Sequence, residues 1–226
     1  MGTTHDERKL MLSPATDPTD KSLELLFVSP VIPVVVIDDV EAAVPLARAL
    51  VAGGIRIIEV TLRTAAGLPA IRRIAEAVPE IRVGAGTVTD VGLLDAVVES
   101  GAQFVVTPGS PSELIDAILD RGLPLLAGAG TLTEMMTLTA RGHRALKFFP
   151  AEQSGGAGFL KAVAGPLPGA IFCPTGGITP ANARGYLAMP NVGCVGGSWL
   201  SPPALLTAGD WPAITVLARQ AAELRS

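Results

Sequence analysis

Short apolar runs recur along the chain and alternate with longer stretches in which alanine and leucine share the positions with glutamate and arginine. The runs are Val31–Ile37, Ile55–Leu62, Ile81–Gly86, Gln103–Thr107, Pro124–Ala127, Ala145–Phe149, Ala170–Pro174 and Val192–Gly196, and their starts fall 24, 26, 22, 21, 21, 25 and 22 residues apart. Between them, segments such as Glu41–Ala52, Leu93–Ser100 and Glu113–Arg121 have helical composition, and Ile214–Leu224 closes the chain. Asp39, Thr89-Asp90, Ser110-Pro111-Ser112 and Thr179-Pro180 are helix-start signals, because their side chains or proline geometry suit the first turn. Strand–helix alternation implies a parallel sheet, since every parallel connection needs a crossover. Eight such units predict an α/β fold, a single (β/α)8 TIM barrel at the small end of its range. A doubly wound open sheet is the alternative, but Gly84-Ala85-Gly86-Thr87 and Gly128-Ala129-Gly130 both lack the third glycine of a dinucleotide fingerprint. Residues 1–20, polar and rich in Thr, Asp and Pro, read as a flexible tail; residues 21–226 read as the barrel domain.

Composition narrows the function classes. With 49% hydrophobic and 17% charged residues, the 226-residue chain has material for one large core. A net charge of −4 argues against nucleic acid or an anionic membrane as partner. The uncharged stretch from Gly185 to Gly209 is long enough to span a bilayer, but Pro190, Pro202 and Pro203 break it into strand, loop and helix start. The N-terminus lacks the apolar centre of a signal peptide. Two cysteines, Cys173 and Cys194, make no disulfide framework and fit a reducing compartment, so a cytoplasmic location is expected.

The candidate chemistry collects where barrel enzymes keep it, at the C-terminal ends of the strands. In the second strand Ile57, Glu59, Thr61 and Arg63 share one face by the two-residue alternation, and Ile58, Val60 and Leu62 share the other. Glu59 then points into the barrel, with Arg63 on the same side at its mouth. A carboxylate there is costly unless paired or used; a buried Glu59–Arg63 ion pair of purely structural value is the plain alternative. Of four lysines, Lys9, Lys21, Lys147 and Lys161, only Lys147 is embedded in an apolar strand. Burial opposes the ammonium charge and favours the neutral amine that Schiff-base chemistry needs. A lysine snorkelling from a strand end is the bland alternative. The seventh and eighth strands end in Thr175-Gly176-Gly177 and Gly196-Gly197-Ser198, at the two loops that recurrently bind phosphate in such barrels. Single glycine pairs are ordinary turns; two pairs at those two loops are more. His5, His143, Cys173 and Cys194 have no metal-site spacing, and Trp199 reads as rim packing. An isomerase or epimerase with Glu59 as base, or a non-catalytic phosphate sensor, would share the glycine loops without a covalent adduct.

Five segments in order resemble the bacterial 2-keto-3-deoxy-6-phosphogluconate (KDPG) aldolase / 4-hydroxy-2-oxoglutarate aldolase family. They are Gly53-Gly54-Ile55-Arg56-Ile57-Ile58-Glu59-Val60-Thr61-Leu62-Arg63-Thr64, Val83-Gly84-Ala85-Gly86-Thr87-Val88, Lys147-Phe148-Phe149-Pro150-Ala151-Glu152, Cys173-Pro174-Thr175-Gly176-Gly177-Ile178 and Gly196-Gly197-Ser198-Trp199. The resemblance spans Leu23 to Leu224. It implies a cytoplasmic, homotrimeric class I aldolase of the Entner–Doudoroff pathway that cleaves KDPG to pyruvate and glyceraldehyde 3-phosphate, and also 4-hydroxy-2-oxoglutarate to pyruvate and glyoxylate. It implies no cofactor and no metal. By motif, Lys147 would form the Schiff base and Glu59 would be the general acid/base. Arg63 and Thr87 would hold the pyruvyl carboxylate, with Pro108 and Phe149 lining the pocket. Thr175, Gly176, Gly177, Gly197 and Ser198 would contact the distal hydroxyls and phosphate. One departure, Gly128-Ala129-Gly130-Thr131 in place of a Gly-Ile-Ser-Thr type segment after strand five, predicts an altered pocket there.

Overall fold

The computed structural model describes residues 18–225. Helix α1 (Pro18–Leu25) comes first, followed by eight strands with helices between them: β1 (Val31–Val35), α2 (Ala43–Ala52), β2 (Ile57–Thr61), α3 (Gly67–Ala77), β3 (Arg82–Gly86), α4 (Leu94–Glu99), β4 (Val105–Val106), α5 (Ser112–Asp120), β5 (Leu125–Ala129), α6 (Leu132–Ala140), β6 (Ala145–Phe148), α7 (Gly156–Val163), β7 (Ile171–Pro174), α8 (Pro180–Leu187) and β8 (Val195–Gly197). Helices α9 (Pro203–Ala208) and α10 (Trp211–Ala222) end the fold. All strand pairs are parallel, in the order β7-β6-β5-β4-β3-β2-β1-β8. The bridges Phe172 to Val192 and Thr175 to Gly196 join β7 to β8 and complete the ring. The (β/α)8 barrel expected from the repeat is the architecture found. No helix among the described residues is long and apolar enough to cross a membrane.

Two separate apolar cores follow from strand alternation. Between sheet and helices lie Val31, Ile58, Val60, Leu146, Phe148 and Phe172, packed on stripes such as Ala70, Ile71 and Ile74 of α3. Inside the ring lie Ile32, Ile57, Phe104, Val106, Leu126, Ala145, Cys173 and Cys194. Ile57 inside and Ile58 with Val60 outside reproduce the face assignment made for β2. Both cysteines are buried free thiols, filling the interior as small apolar groups.

Tertiary context moved several boundaries. The fourth strand shrinks to two residues, and the fifth runs on through Gly128-Ala129 because those residues pair with Lys147 and Phe148. Helix α10 starts at Trp211, since the Asp210 carboxylate accepts the Ala213 N–H and caps it. Asp39 and Asp90 cap short 3₁₀ turns that lead into α2 and α4. Ser110 caps nothing: its hydroxyl bridges the Thr107 hydroxyl at 2.9 Å and the Gly128 carbonyl at 3.0 Å. It ties the ends of β4 and β5 together instead.

The tail assigned to residues 1–20 is structured from Pro18 on, where a proline fits the first helical turn because its missing N–H would have no partner there. Residues 1–17 lie outside the described residues. Helix α1 closes the N-terminal end of the barrel: Leu25 and Leu26 join the interior cluster, and the Leu125 N–H donates to the Ser22 hydroxyl at 2.9 Å. Gly193 leaves room for it, since a Cβ there would stand 2.6 Å from that of Leu26. Large-to-small changes at fully buried leucines cost about 2–5 kcal/mol. Leu26→Ala is expected to lower unfolding free energy by about that amount in a urea titration, with chemistry at the opposite barrel end unchanged in the folded protein. A loss under about 0.5 kcal/mol, the size of an ordinary surface substitution, would show that α1 is not part of the cooperative core.

Candidate active site

Lys147 on β6 and Glu59 on β2 meet inside the barrel. Lys147 Nζ lies 3.1 Å from Glu59 Oε1 and 3.4 Å from Oε2, and the two side chains are 5% and 2% exposed. Each is aimed inward by the pleat: Ala145 and Lys147 share the inner face of β6, Ile57 and Glu59 that of β2. The structural alternative of a Glu59–Arg63 pair is not what forms. Glu59 pairs with Lys147, and the Arg63 Nε–H donates to the Thr87 hydroxyl at 3.2 Å.

Small residues make the contact possible. Glu59 sits in register with Gly84, and Thr61 with Gly86. A Cβ on Gly86 would overlap Glu59 Oε1 and Cγ, so the carboxylate occupies the volume this glycine vacates. Thr87 follows at φ 59, a left-handed conformation that costs a β-branched residue about 1–3 kcal/mol. Its hydroxyl is the acceptor for Arg63, so the strained residue lies one step above the Glu59 carboxylate and carries a cation beside it. Gly128 is the register partner of Lys147, and a Cβ there would overlap the Thr107 carbonyl and Pro108. Pro108 is thereby placed against the strand that neighbours the lysine. The Phe149 ring lies 5.4 Å from Lys147 Nζ, within cation–π reach.

The glycine loops stand at the ends of β7 and β8. Thr175 is buried and bridged to Gly196, where any side chain would overlap its hydroxyl. Gly176 and Gly177 both have left-handed backbones, φ 101 and 76, the reason for two glycines in succession. Trp199 packs across Gly197, as rim packing requires, and Ser198 lies between them. At Gly130, the departure noted above, a Cβ would stand 3.0 Å from the Phe149 carbonyl, so a larger residue would crowd the segment after Lys147. A cavity of about 520 Å³ beside this point is lined by Ser110, Leu114, Gly128, Glu134 and Leu138, and by neither Lys147 nor Glu59.

Sequence reasoning missed the supporting residues. Glu152, in the loop after β6, accepts a hydrogen bond from the Tyr186 hydroxyl on α8. Burial first, then that carboxylate, holds the tyrosine well above its usual pKa, so it stays a donor. Burial, with the Cys173 thiol beside it, likewise pushes the Cys194 thiol well above its ordinary value. The capping box of α6, Thr131 with Glu134, was legible in the sequence as a Thr-x-x-Glu spacing but was not singled out. Glu152 and Tyr186, 34 positions apart, give no local signal.

An amine and a carboxylate in contact within an apolar wall, under a cation and beside two glycine-rich loops, can form an imine with a keto group and move its protons. Comparison with known proteins agrees. Residues 24–217 match the family described as KDPG and KHG aldolase. A 2-dehydro-3-deoxy-phosphogluconate aldolase of Pseudoalteromonas atlantica is 53% identical over 192 residues, covering 85% of this chain and 89% of the relative. A KHG/KDPG aldolase of Escherichia coli is 51% identical over 199 residues, 88% of this chain and 93% of the relative. The crystal structure of KDPG aldolase from Legionella pneumophila, with pyruvate captured at low pH as a covalent carbinolamine intermediate, superposes with a TM-score of 0.87 at 42% identity, covering 92% and 99% of the two chains.

The glycine at 86 provides a direct test. Gly86→Ala is expected to displace the Glu59 carboxylate while leaving the strand paired. Misplacement of a catalytic group by about 1 Å costs on the order of 10²-fold in rate. The measurement is single-turnover kinetics beside circular dichroism; a normal rate in the folded variant would show that Glu59 need not occupy this position.

Proposed function

The chain belongs to the KDPG and KHG aldolase family, and from that membership we propose that Lys147 is its Schiff-base lysine and Glu59 its general acid/base. The protein is an aldolase that cleaves KDPG to pyruvate and glyceraldehyde 3-phosphate through a Schiff base. The observation that carries the residue assignment is the Lys147–Glu59 contact inside the barrel.

The reaction follows from those two groups. With its proton passed to Glu59, the Lys147 amine attacks the 2-keto carbon and gives a carbinolamine. Glu59 returns a proton to the departing hydroxyl, water leaves, and an iminium forms. The C4 hydroxyl proton then goes to Glu59, directly or through water, as the C3–C4 bond breaks. The bonding electrons move into the iminium to give an enamine, and the aldehyde departs. Protonation at C3 and hydrolysis release pyruvate and regenerate the amine. Because the iminium is the electron sink, the residue set supplies the whole reaction, and dialysis against EDTA is expected to leave activity intact; loss restored by a divalent metal would overturn this. Arg63 and Thr87, hydrogen-bonded to each other, hold the carboxylate of the keto acid in this reading, with Pro108 and Phe149 as walls. Thr175, Gly176, Gly177, Gly197 and Ser198 form the end that receives the distal hydroxyls and phosphate. 4-Hydroxy-2-oxoglutarate, which presents the same keto acid without the phosphate, is a second substrate; the KHG/KDPG aldolase name of the Escherichia coli relative supports this.

The enzyme works in the cytoplasm as a homotrimer. Reduced Cys173 and Cys194 support the first. Leu132 and Met136, 37% and 54% exposed one turn apart on α6, support burial of that helix against another copy.

Trapping tests the lysine. Incubation with pyruvate and borohydride is expected to add one reduced pyruvyl group, mapped to Lys147 by peptide mass analysis; absence of the adduct overturns the assignment. Glu59→Gln keeps volume but moves no proton, so kcat should fall by about 10²–10⁴-fold with the barrel folded. A purely structural pair behaves otherwise, since breaking a buried ion pair costs about 3–5 kcal/mol of stability. A large drop in melting temperature with near-normal single-turnover chemistry would remove Glu59 from the mechanism.

A further inference from the structure

The loop after β7 is held from behind by the Glu152 backbone N–H and the Asn182 side chain, with Tyr186 bonded in turn to the Glu152 carboxylate. In a planar trans peptide the C=O and the following N–H point in opposite directions, so fixing one carbonyl aims the next N–H. The Gly176 carbonyl accepts the Glu152 N–H at 3.1 Å, which turns the Gly177 N–H the other way. The Gly177 carbonyl accepts the Asn182 Nδ2–H at 3.1 Å, which turns the Ile178 N–H away from Asn182. Neither of these two N–H groups has an acceptor among the described residues. Two adjacent N–H groups released in this manner form a concavity suited to an anion.

The two braces are themselves fixed. The Asn182 amide is locked because its Oδ1 accepts the Thr179 N–H at 2.8 Å. Glu152 lies flat on Gly177, where a Cβ would come within 2.6 Å of its Cγ, and its carboxylate accepts the Tyr186 hydroxyl. Gly156 reserves the space for that contact: a Cβ there would stand 3.0 Å from Tyr186 Oη and 3.3 Å from Glu152 Oε1. The Ala151 N–H also donates to the Thr175 carbonyl at 2.8 Å, so the segment following the lysine strand wraps the glycine loop continuously.

Resting on the phosphate-loop reading above, we propose that Glu152, Tyr186 and Asn182 are positioning residues that preorganise the Gly177 and Ile178 N–H groups for a phosphate and so set the preference for substrates carrying one. They act through the backbone and contact no substrate atom. A loop braced in this way loses little freedom on binding, which improves affinity without a new contact.

The test uses the full-length enzyme with Tyr186→Phe, which removes one hydroxyl from a packed ring, and Asn182→Ala, at a half-exposed position. Loss of a hydrogen bond that holds the loop is expected to raise KM for KDPG about 3- to 10-fold in Asn182→Ala, and about 10-fold in Tyr186→Phe, where the acceptor is charged. Inhibition by inorganic phosphate should weaken in parallel. The kcat for KDPG and the rate of borohydride-trapped pyruvate on Lys147 should stay within about twofold, a split that a merely structural role does not give. An unchanged KM, or an equal loss in KM and in trapping, overturns the proposal, and Asn182→Ala carries the decision should Tyr186→Phe not fold. Failure of inorganic phosphate to inhibit the wild-type enzyme would instead refute the phosphate-loop reading itself.

Discussion

A lysine and a glutamate in contact inside an otherwise apolar barrel set the terms for what surrounds them. Taking both charges out of water is expensive, and their attraction offsets the cost only when the geometry is good. The eight parallel strands provide that geometry. They are covered on both faces, so neither partner can turn to solvent, and their register brings β2 and β6 to the same depth from opposite sides of the ring. Two glycines complete the arrangement. Gly86 yields its side-chain volume to the Glu59 carboxylate, and Gly128 yields its own to the Thr107–Pro108 backbone beside Lys147.

The barrel is divided along its axis by chemistry. Its N-terminal half is filled by Ile32, Ile57, Phe104, Leu126 and the two cysteines and closed by α1. Its C-terminal half holds the ion pair, the strained Thr87 with Arg63, and the two glycine-rich loops. Stability and reactivity are thereby assigned to opposite ends, as is general for this architecture. In the proposed reaction a keto acid entering at the top would meet the Lys147 amine at one depth and the donors of the glycine loops above it. At β7 and β8 the donors are mostly backbone N–H groups, which carry no charge to desolvate and lose no side-chain entropy when an anion arrives.

How much of this was readable from the sequence differs by residue. The period near 23 residues, the inward face of Glu59 and the anomaly of Lys147 in an apolar strand all rest on local alternation, which survives folding because the strands are regular. The same alternation could not name the partner of Glu59. Arg63 is four residues away, just past the end of the same strand, and Lys147 is 88 away, and only closure of the ring makes the distant residue the partner. Ser110 read as a helix cap for a similar reason: its hydroxyl is claimed by Thr107 and Gly128, on two strand ends that meet only in the barrel.

The sequence by itself determined the fold class, the eight strands and the inward placement of Glu59 and Lys147, because each depends on spacing within a single element. It also determined the positions of the glycine pairs, whose backbone freedom is intrinsic to the residue. Only the tertiary structure decided that Pro18–Asp20 join the following residues in a helix that plugs the barrel, and that Gly86 is vacant for a carboxylate. It likewise decided that Glu152, Tyr186 and Asn182 brace the glycine loop from behind. Each of these is a contact between segments far apart in the chain, set by how closely the ring packs, and hydrophobic periodicity carries no record of it.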